Sequence, residues 1–398
     1  MYKQKEKTMS KVPKLRFPEF EGEWEEKELE NILEYERPDN YIVSDTNYSK
    51  VGIPVLTANK SFILGYTEEN EGVFKDIPVI IFDDFTTDKK YVDFPFKVKS
   101  SAIKILKTKK DSLKFIYEAM SLIDFEATEH KRYYISAYQK IPLHIPSIAE
   151  QQKIADCLSS LDELIEARRE KIASLKAYKK GLLQQLFPEK VSKSTPPPLI
   201  FNKLQKLRFT GFEGEWEEKK LGFFIKQKND RNKKLHIKEV LSINNKKGFI
   251  TQEEQFNGYE VASKNLSNYK IVKKGYFGYN PSRINVGSIA KLEKLEEGIV
   301  SPMYIVFEVD AKLNSSFLLF LFETKDFKDK IKENATGSVR DTLDFKDLSN
   351  FSFFFPTTEE QQKIADCLLS LDEKIVAETE QVAQLQQHKK GLLQQLLV

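Results

Sequence analysis

FDDFTTDKK, at Phe82–Lys90, is the stretch of this 398-residue chain that most invites a reading as metal chemistry. Neighbouring aspartates followed by an Asp-x-Lys step are faintly like the core of a magnesium-dependent nuclease. Such a centre needs a further carboxylate on a neighbouring strand, and nothing in the sequence marks one. The plainer reading is a charged strand-to-loop turn. The four histidines, His130, His144, His236 and His388, stand at no H-x-H or H-x3-H spacing, so no metal site is expected. No G-x4-GK[ST] loop is present to hold ATP. The chain reads as one without catalysis of its own.

Residues suited to nucleic acid are better represented. Between Gly222 and Lys291 fourteen basic residues face five acidic ones, a density that suits phosphate contacts. Lys246 and Lys247 lie in this stretch, and it runs into NPSRINVGS at Asn280–Ser288. There Asn280, Ser282, Arg283, Asn285 and Ser288 gather the amides, hydroxyls and guanidinium that read base edges. YNPSR at Tyr279–Arg283 resembles the asparagine-proline loop of adenine methyltransferases but lacks its second proline and its aromatic residue. No glycine-rich loop for S-adenosylmethionine precedes it, so it reads as a contact loop. In the first half HKRYY supplies Lys131, Arg132, Tyr133 and Tyr134, and the strand-like KKY supplies Lys89, Lys90 and Tyr91. TGSVR, with Ser338 and Arg340, stands at about the place of HKRYY in the second half. The bland alternative for each cluster is a solvated basic loop.

Composition sets the limits. Charged residues at 31% and hydrophobic ones at 40% suit a soluble folded chain long enough for two domains. A formal charge of +3 is too small to mark a nucleic-acid binder, so that case rests on local patches. Two cysteines, Cys157 and Cys367, argue for a reducing compartment and against a disulfide scaffold. The polar opening MYKQKEKTMSK is no signal peptide, and FLLFLF at Phe317–Phe322 is too short to span a bilayer. A cytoplasmic protein with no membrane partner is expected.

The elements that position these clusters come in two copies. EQQKIADCL occurs at Glu150–Leu158 and again at Glu360–Leu368, an offset of 210. KLRFPEFEGEWEEKEL at Lys14–Leu29 returns as KLRFTGFEGEWEEKKL at Lys206–Leu221, an offset of 192, and KKGLLQQL closes both halves. Each half is therefore a copied head, a private middle and a copied tail, with the second middle 18 residues longer. β-branched and aromatic runs followed by a helix-like stretch in both middles suggest one mixed fold with diverged surfaces.

The tails read as long helices. Apolar residues at Ile154, Leu158, Leu161, Ile165, Ile172, Leu175 and Leu182 step by fours and threes along one seam. The second tail repeats them as Ile364, Leu368, Leu371, Ile375, Val382, Leu385 and Leu392. Pro146 and Pro356 punctuate the starts, with Ser147 and Thr357 as caps. Two seams in one chain most simply pack antiparallel about a pseudo-twofold axis. That symmetry sets Ile154 against Leu392, Leu161 against Leu385, and Arg168 against Glu378 in mid-seam. The segments are then a first domain over 1–147, a helix over 148–187, a proline-rich linker over 188–205, a second domain over 206–356 and a helix over 357–398.

Taken together, the two LRFPEF/LRFTGF–EGEWEEK heads, the two P-x3-EQQKIA helix starts and the two KKGLLQQL ends resemble the specificity subunit of type I restriction-modification enzymes. The resemblance spans essentially the whole chain. It implies an α+β fold: two pseudo-twofold-related α/β target-recognition domains joined by two long antiparallel coiled-coil helices. It also implies a non-catalytic subunit that reads a bipartite target on double-stranded DNA and docks two adenine-N6 methyltransferase subunits. Restriction subunits would join through those, and S-adenosylmethionine, ATP and magnesium would belong to the partners, with no cofactor in this chain. Helices of about 57 Å limit the footprint to roughly 17 base pairs. The competing reading is a two-headed coiled-coil scaffold that binds proteins.

Overall fold

Val79-Ile-Ile-Phe-Asp83 is apolar on both strand faces, the pattern of a strand covered from above and below. Its environment is that of a sheet between two apolar layers. The structure, a computed structural model, describes every residue except 1–10, 60, 128–130, 189–206, 246, 252–253, 255–264, 336–341 and 398. Most of the expected linker therefore lies outside the described residues. The chain divides into two units: unit 1 is Met1–Arg169 with Thr379–Val398, and unit 2 is Glu170–Glu378.

In unit 1 the strands are β1 (Glu25–Glu28), β2 (Leu33–Glu36), β3 (Ile53–Leu56), β4 (Ile63–Thr67), β5 (Val79–Asp83), β6 (Lys89–Val92), β7 (Lys97–Val98), β8 (Ile103–Thr108) and β9 (Pro142–Ile145). The central sheet is antiparallel in the order β2-β8-β5-β6, with a smaller sheet β4-β3-β7 and the pair β1-β9. Strand alternation sends Ile80 and Phe82 to one face, where they meet Leu106 and the helix Leu113–Ser121. Val79 and Ile81 go to the other, against Ile103, Ile105, Phe96 and Val98.

Unit 2 repeats this plan with β10 (Glu217–Lys220), β11 (Ile225–Lys228), β12 (Leu241–Asn244), β13 (Gly248–Thr251), β14 (Lys270–Lys273), β15 (Phe277–Tyr279), β16 (Ile289–Lys291), β17 (Glu297–Val300), β18 (Ile305–Val309) and β19 (Ser352–Phe355). Its central sheet runs β11-β18-β15-β16, the same order, and β10 pairs with β19 as β1 does with β9. The one-fold-twice expectation is met. The stretch after β18 differs from the single helix-like run expected: it forms two helices, Ser315–Glu323 and Lys325–Ala335. The break is at Thr324, which leaves helical geometry and whose hydroxyl instead accepts from Phe327 N at 3.3 Å as a cap.

The copied residues are joints. Arg16 of the first head donates from Nε and Nη2 to both oxygens of Glu150, each at 2.8 Å. Its remaining donors reach the carbonyls of Gly22 at 2.5 Å and Glu21 at 3.1 Å. Arg208 repeats this on Glu360 at 2.8 and 2.7 Å, with Gly214 and Glu213 supplying the carbonyls. Gly22 and Gly214 sit at φ +83° and +84°, where a side chain is strained, so the EGEW glycine is needed to turn its carbonyl onto the guanidinium. The glutamine that follows is a second joint. Gln151 Oε1 accepts from Ser112 N at the start of a short helix, and its Nε2 donates to Pro146 O. Gln361 does the same for Asn314 N and Pro356 O.

The long helices are Ile148–Leu186 and Thr358–Leu397. Ser147 Oγ and Thr357 Oγ1 each accept at their starts, from Glu150 N and Glu360 N at 3.4 Å. Within unit 1, Ile154 and Leu158 share a core with Leu392, Leu396 and Leu397, and Lys389 Nζ sits 2.7 Å from Asp162, so the two helical segments run antiparallel. Within unit 2, Leu182 and Leu186 pack with Ile364 and Leu368, and Lys179 reaches Asp372 at 2.8 Å. Each end is also capped by a head: Leu15 N donates to Gln395 O and Leu207 N to Gln185 O. The seam periodicity holds along both helices. Ile154, Leu158, Ile165 and Leu182 are buried, with Leu161, Arg168, Ile172 and Leu175 half-buried. Ile364, Leu368 and Leu371 are buried, with Ile375, Glu378, Val382, Leu385 and Leu392 half-buried. Glu378 is held by Lys171 Nζ at 2.5 Å inside unit 2. No helix among the described residues is long and apolar enough to cross a membrane.

Glu150→Ala should strand the Arg16 guanidinium in a nearly dry joint and lower stability by about 3 kcal/mol. Arg16→Lys, which cannot fork, should cost less but still register. Urea unfolding followed by tryptophan fluorescence reports both through Trp24; an unchanged midpoint in both variants would mean the joint does not hold the head.

Candidate nucleic-acid interface

Strand register decides which residues meet. In unit 1 Glu36 lies opposite Ile105, and Asp83 lies opposite Ile103. Residues after β2, between β5 and β6, and before β8 therefore share one end of the sheet: Arg37, the turn Asp84–Asp88, and the loop into β8. In unit 2 Lys228 lies opposite Val306, and Tyr279 opposite Ile305. The corresponding end thus carries Asn229–Arg231 and the loop Asn280–Ser288.

The unit 1 turn is built by its aspartates. Asp83 Oδ1 accepts from Phe85 N at 2.9 Å and Thr86 N at 3.0 Å, and Thr87 takes φ +61°. Asp84 is buried, and its carboxylate accepts from Tyr134 N at 2.8 Å while its carbonyl accepts from Tyr133 N at 2.9 Å. Lys104 Nζ, also buried, lies 3.6 Å from Asp84. The paired acids of FDDF are a turn cap and a strut. Among the described residues no group of three or more His, Cys, Asp or Glu is placed to hold a metal ion.

That strut brings the two unit 1 clusters together. Tyr133 and Tyr134, expected to touch a ligand, are core residues at 0 and 1% exposure. Tyr134 packs on Phe82 at 5.3 Å and Tyr133 on Phe125 at 5.3 Å, because their backbone N–H groups are drawn under the turn. Burial pushes the Tyr134 hydroxyl well above the usual tyrosine range. Arg132, just before them, is exposed, with its guanidinium 5.9 Å from the Phe85 ring. Lys131 Nζ lies over the Tyr133 ring at 5.7 Å. Lys89 and Lys90 are half-buried on β6, Lys89 with its Nζ 5.7 Å from the Tyr138 ring. Tyr91 turns the other way, onto Tyr117 and Lys114 of the covering helix.

The unit 2 loop is longer but tied in a similar manner. Asn280 Oδ1 accepts from Ser282 N at 3.1 Å, and Asn280 N donates to Ser288 O at 3.1 Å. Leu343 N donates to Pro281 O at 3.2 Å, so the segment before β19 meets this loop as the Tyr133 segment meets its turn. Ser282, Arg283 and Asn285 are exposed, and Asn280 is half-buried. Ser288, expected to face a ligand, is 2% exposed and closes the loop instead. Lys247 is exposed, while Lys246, Ser338 and Arg340 lie outside the described residues. The basic excess counted along Gly222–Lys291 is smaller in space than in sequence. Lys228, Lys274 and Lys291 are paired with Glu308, Glu296 and Glu293, acids that lie beyond that window. Sequence reading also missed Phe85, Thr86 and Arg37, whose only signal is a topology that a linear pattern does not carry.

Burial pushes the Lys89 ammonium down from its ordinary value of 10.5 to about 8. The folded chain then holds fewer protons than the unfolded chain between those values, so stability rises with pH across that window. Relative to Lys89→Met, the parent should gain up to about 1.4 kcal/mol per pH unit between pH 8 and 10. Urea midpoints at several pH values check this, and a flat difference would place the ammonium in water.

The family of type I restriction modification DNA specificity domains matches residues 21–177 and 213–387, once on each half. The chain is 41% identical over 164 residues to the specificity subunit of the type I restriction enzyme EcoR124I/EcoR124II of Escherichia coli. That match covers 38% of this chain and 41% of the relative. It is 24% identical to the MjaVIII specificity subunit of Methanocaldococcus jannaschii over 65% of this chain and 62% of that protein. The chain thus spans less than two thirds of the length of either relative. A crystal structure of the type I restriction-modification S subunit from M. genitalium shares the fold, with a TM-score of 0.62 at 15% identity over 97% of this chain and 99% of that one. Matched on both recurrences of its copied frame, and over most of its length, the chain belongs to the type I restriction-modification DNA specificity family.

Proposed function

We propose that the chain is the DNA sequence-specificity subunit of a type I restriction-modification complex. Each unit reads one part of a bipartite target, and the chain breaks and forms no bonds itself. The observation that carries this is the common sheet end: two sheets of one strand order present exposed arginines, joined in unit 2 by the amide of Asn285, on loops of unlike sequence. Arginine and asparagine there suit base edges, and lysines such as Lys131 and Lys247 suit phosphates. On this reading two adenine-N6 methyltransferase subunits dock on the chain and restriction subunits join through them, in the cytoplasm. S-adenosylmethionine, ATP and magnesium belong to those partners.

Expression with its methyltransferase and mapping of modified adenines should reveal a two-part target. Exchanging Glu30–Ser147 for the middle of a relative should then alter one part and leave the other. DNA affinity should fall steeply with salt, roughly tenfold or more between 50 and 200 mM, as counterion release requires. Salt-insensitive binding and no adenine modification would favour the protein-binding scaffold instead.

A further inference from the structure

Arginines in this fold are mostly spoken for. Arg16 and Arg208 are locked in the head joints, Arg169 sits 3.3 Å from Glu166, and Arg231 donates to Asn268 O. Arg132 and Arg283 are different. Both are exposed at the common sheet end, and among the described residues neither guanidinium has a hydrogen-bond or ion-pair partner. Arg37 shares that condition but follows β2 with no aromatic ring against it among the described residues.

Arg132 stands on fixed ground. The two residues after it donate their N–H groups to Asp84, and their rings are buried, so its Cα is held against the turn. Its guanidinium lies against Phe85, whose N–H is itself fixed by Asp83. A ring beneath a guanidinium restrains its plane and leaves its donors aimed outward in a fork. A fork held in this way is suited to two acceptors in one plane, which a guanine presents as N7 and O6 in the major groove. The point charges nearby, Lys89 and Lys131, are better matched to phosphates. Asp88, exposed on the same turn, disfavours a phosphate there and is compatible with a cytosine amino group.

We infer that Arg132 is a base-reading residue of unit 1, taking a guanine of a G·C pair, and that Phe85 is the positioning residue for its guanidinium. The inference rests on the DNA-reading function proposed above. Arg283 stands at the same sheet end of unit 2 but on the loop between β15 and β16, Asn280–Ser288, nine residues where the corresponding unit 1 turn, Asp84–Asp88, has five; Arg132 itself lies on the segment before β9.

The full chain with its methyltransferase is assayed by fluorescence anisotropy on the mapped target and on duplexes changed one base pair at a time. Arg132→Ala should lose roughly 5- to 150-fold of discrimination at one G·C pair of one half-target, with the other half read as before. Placing 7-deazaguanine at that pair removes the N7 acceptor; it should weaken the parent and leave Arg132→Ala unaffected. Phe85→Leu should lose part of the same discrimination at the same pair, an effect that a merely structural role would spread over the whole unit. Arg37→Ala should weaken all duplexes alike. Should Arg132→Ala also weaken all of them alike, or respond to 7-deazaguanine as the parent does, Arg132 is a phosphate contact and the inference fails alone. A parent that prefers no sequence overturns the function with it.

Discussion

The bidentate pair between Arg16 and Glu150 is the contact on which unit 1 depends, and Arg208 with Glu360 serves unit 2 in the same way. Each joins a head to a helix start across 134 and 152 residues of chain, so closing it encloses an entire middle segment. An ion pair this dry adds little net stability over an apolar contact, because the charges must be stripped of water. Its value is geometric: a planar fork, two carboxylate oxygens and two backbone carbonyls fit together in one orientation only. The difference between those separations equals the 18 extra residues of the second middle. Longer insertions cost little closure entropy once their ends are fixed, so the joint can stay constant while what it encloses grows.

The frame was legible in the sequence for this reason. Residues that hold a joint cannot drift independently: the repeated arginine, glycine and glutamate bond to each other in both units, and the repeated glutamine ties the backbone of the neighbouring short helix to the helix start. The helical seam was legible too, since a period near 3.6 records which side faces the neighbour. The middles were legible only as a class. Their apolar runs announced buried strands, but strand order came from pairing over long separations that no local pattern encodes.

The candidate site was partly visible and partly misassigned, and the errors have one source. HKRYY reads as a uniform basic and aromatic patch, yet Asp84, some fifty residues earlier, draws Tyr133 and Tyr134 into the core and leaves Arg132 outside. FDDF reads as an acidic pair, yet one carboxylate is spent on a turn and the other on that same backbone. The basic excess of unit 2 reads as free charge until strand pairing brings Glu296 and Glu308 against it and Glu293, two residues after Lys291, closes on that lysine. What the chain does with each side chain depends on the partners the fold gives it, some as far as Asp84 from Tyr134 and some as near as Glu293 to Lys291.

Burying the tyrosines is also what makes the exposed arginine useful. A long flexible side chain on a mobile loop must lose several rotamers and a range of backbone positions before it can make two aligned hydrogen bonds. Arg132 has much of that ordering supplied in advance, by buried neighbours on one side and a ring on the other. The sheet that carries the turn is held by backbone bonds that do not depend on which side chains its end displays. Unit 2 uses the same sheet end to display a different loop, with Ile284 buried as its anchor and Arg283 beside it outside. An anchor in the core next to a reaching residue at the rim recurs without any shared sequence. Such a surface can therefore diverge freely at the rim, provided that each new loop keeps one residue to bury.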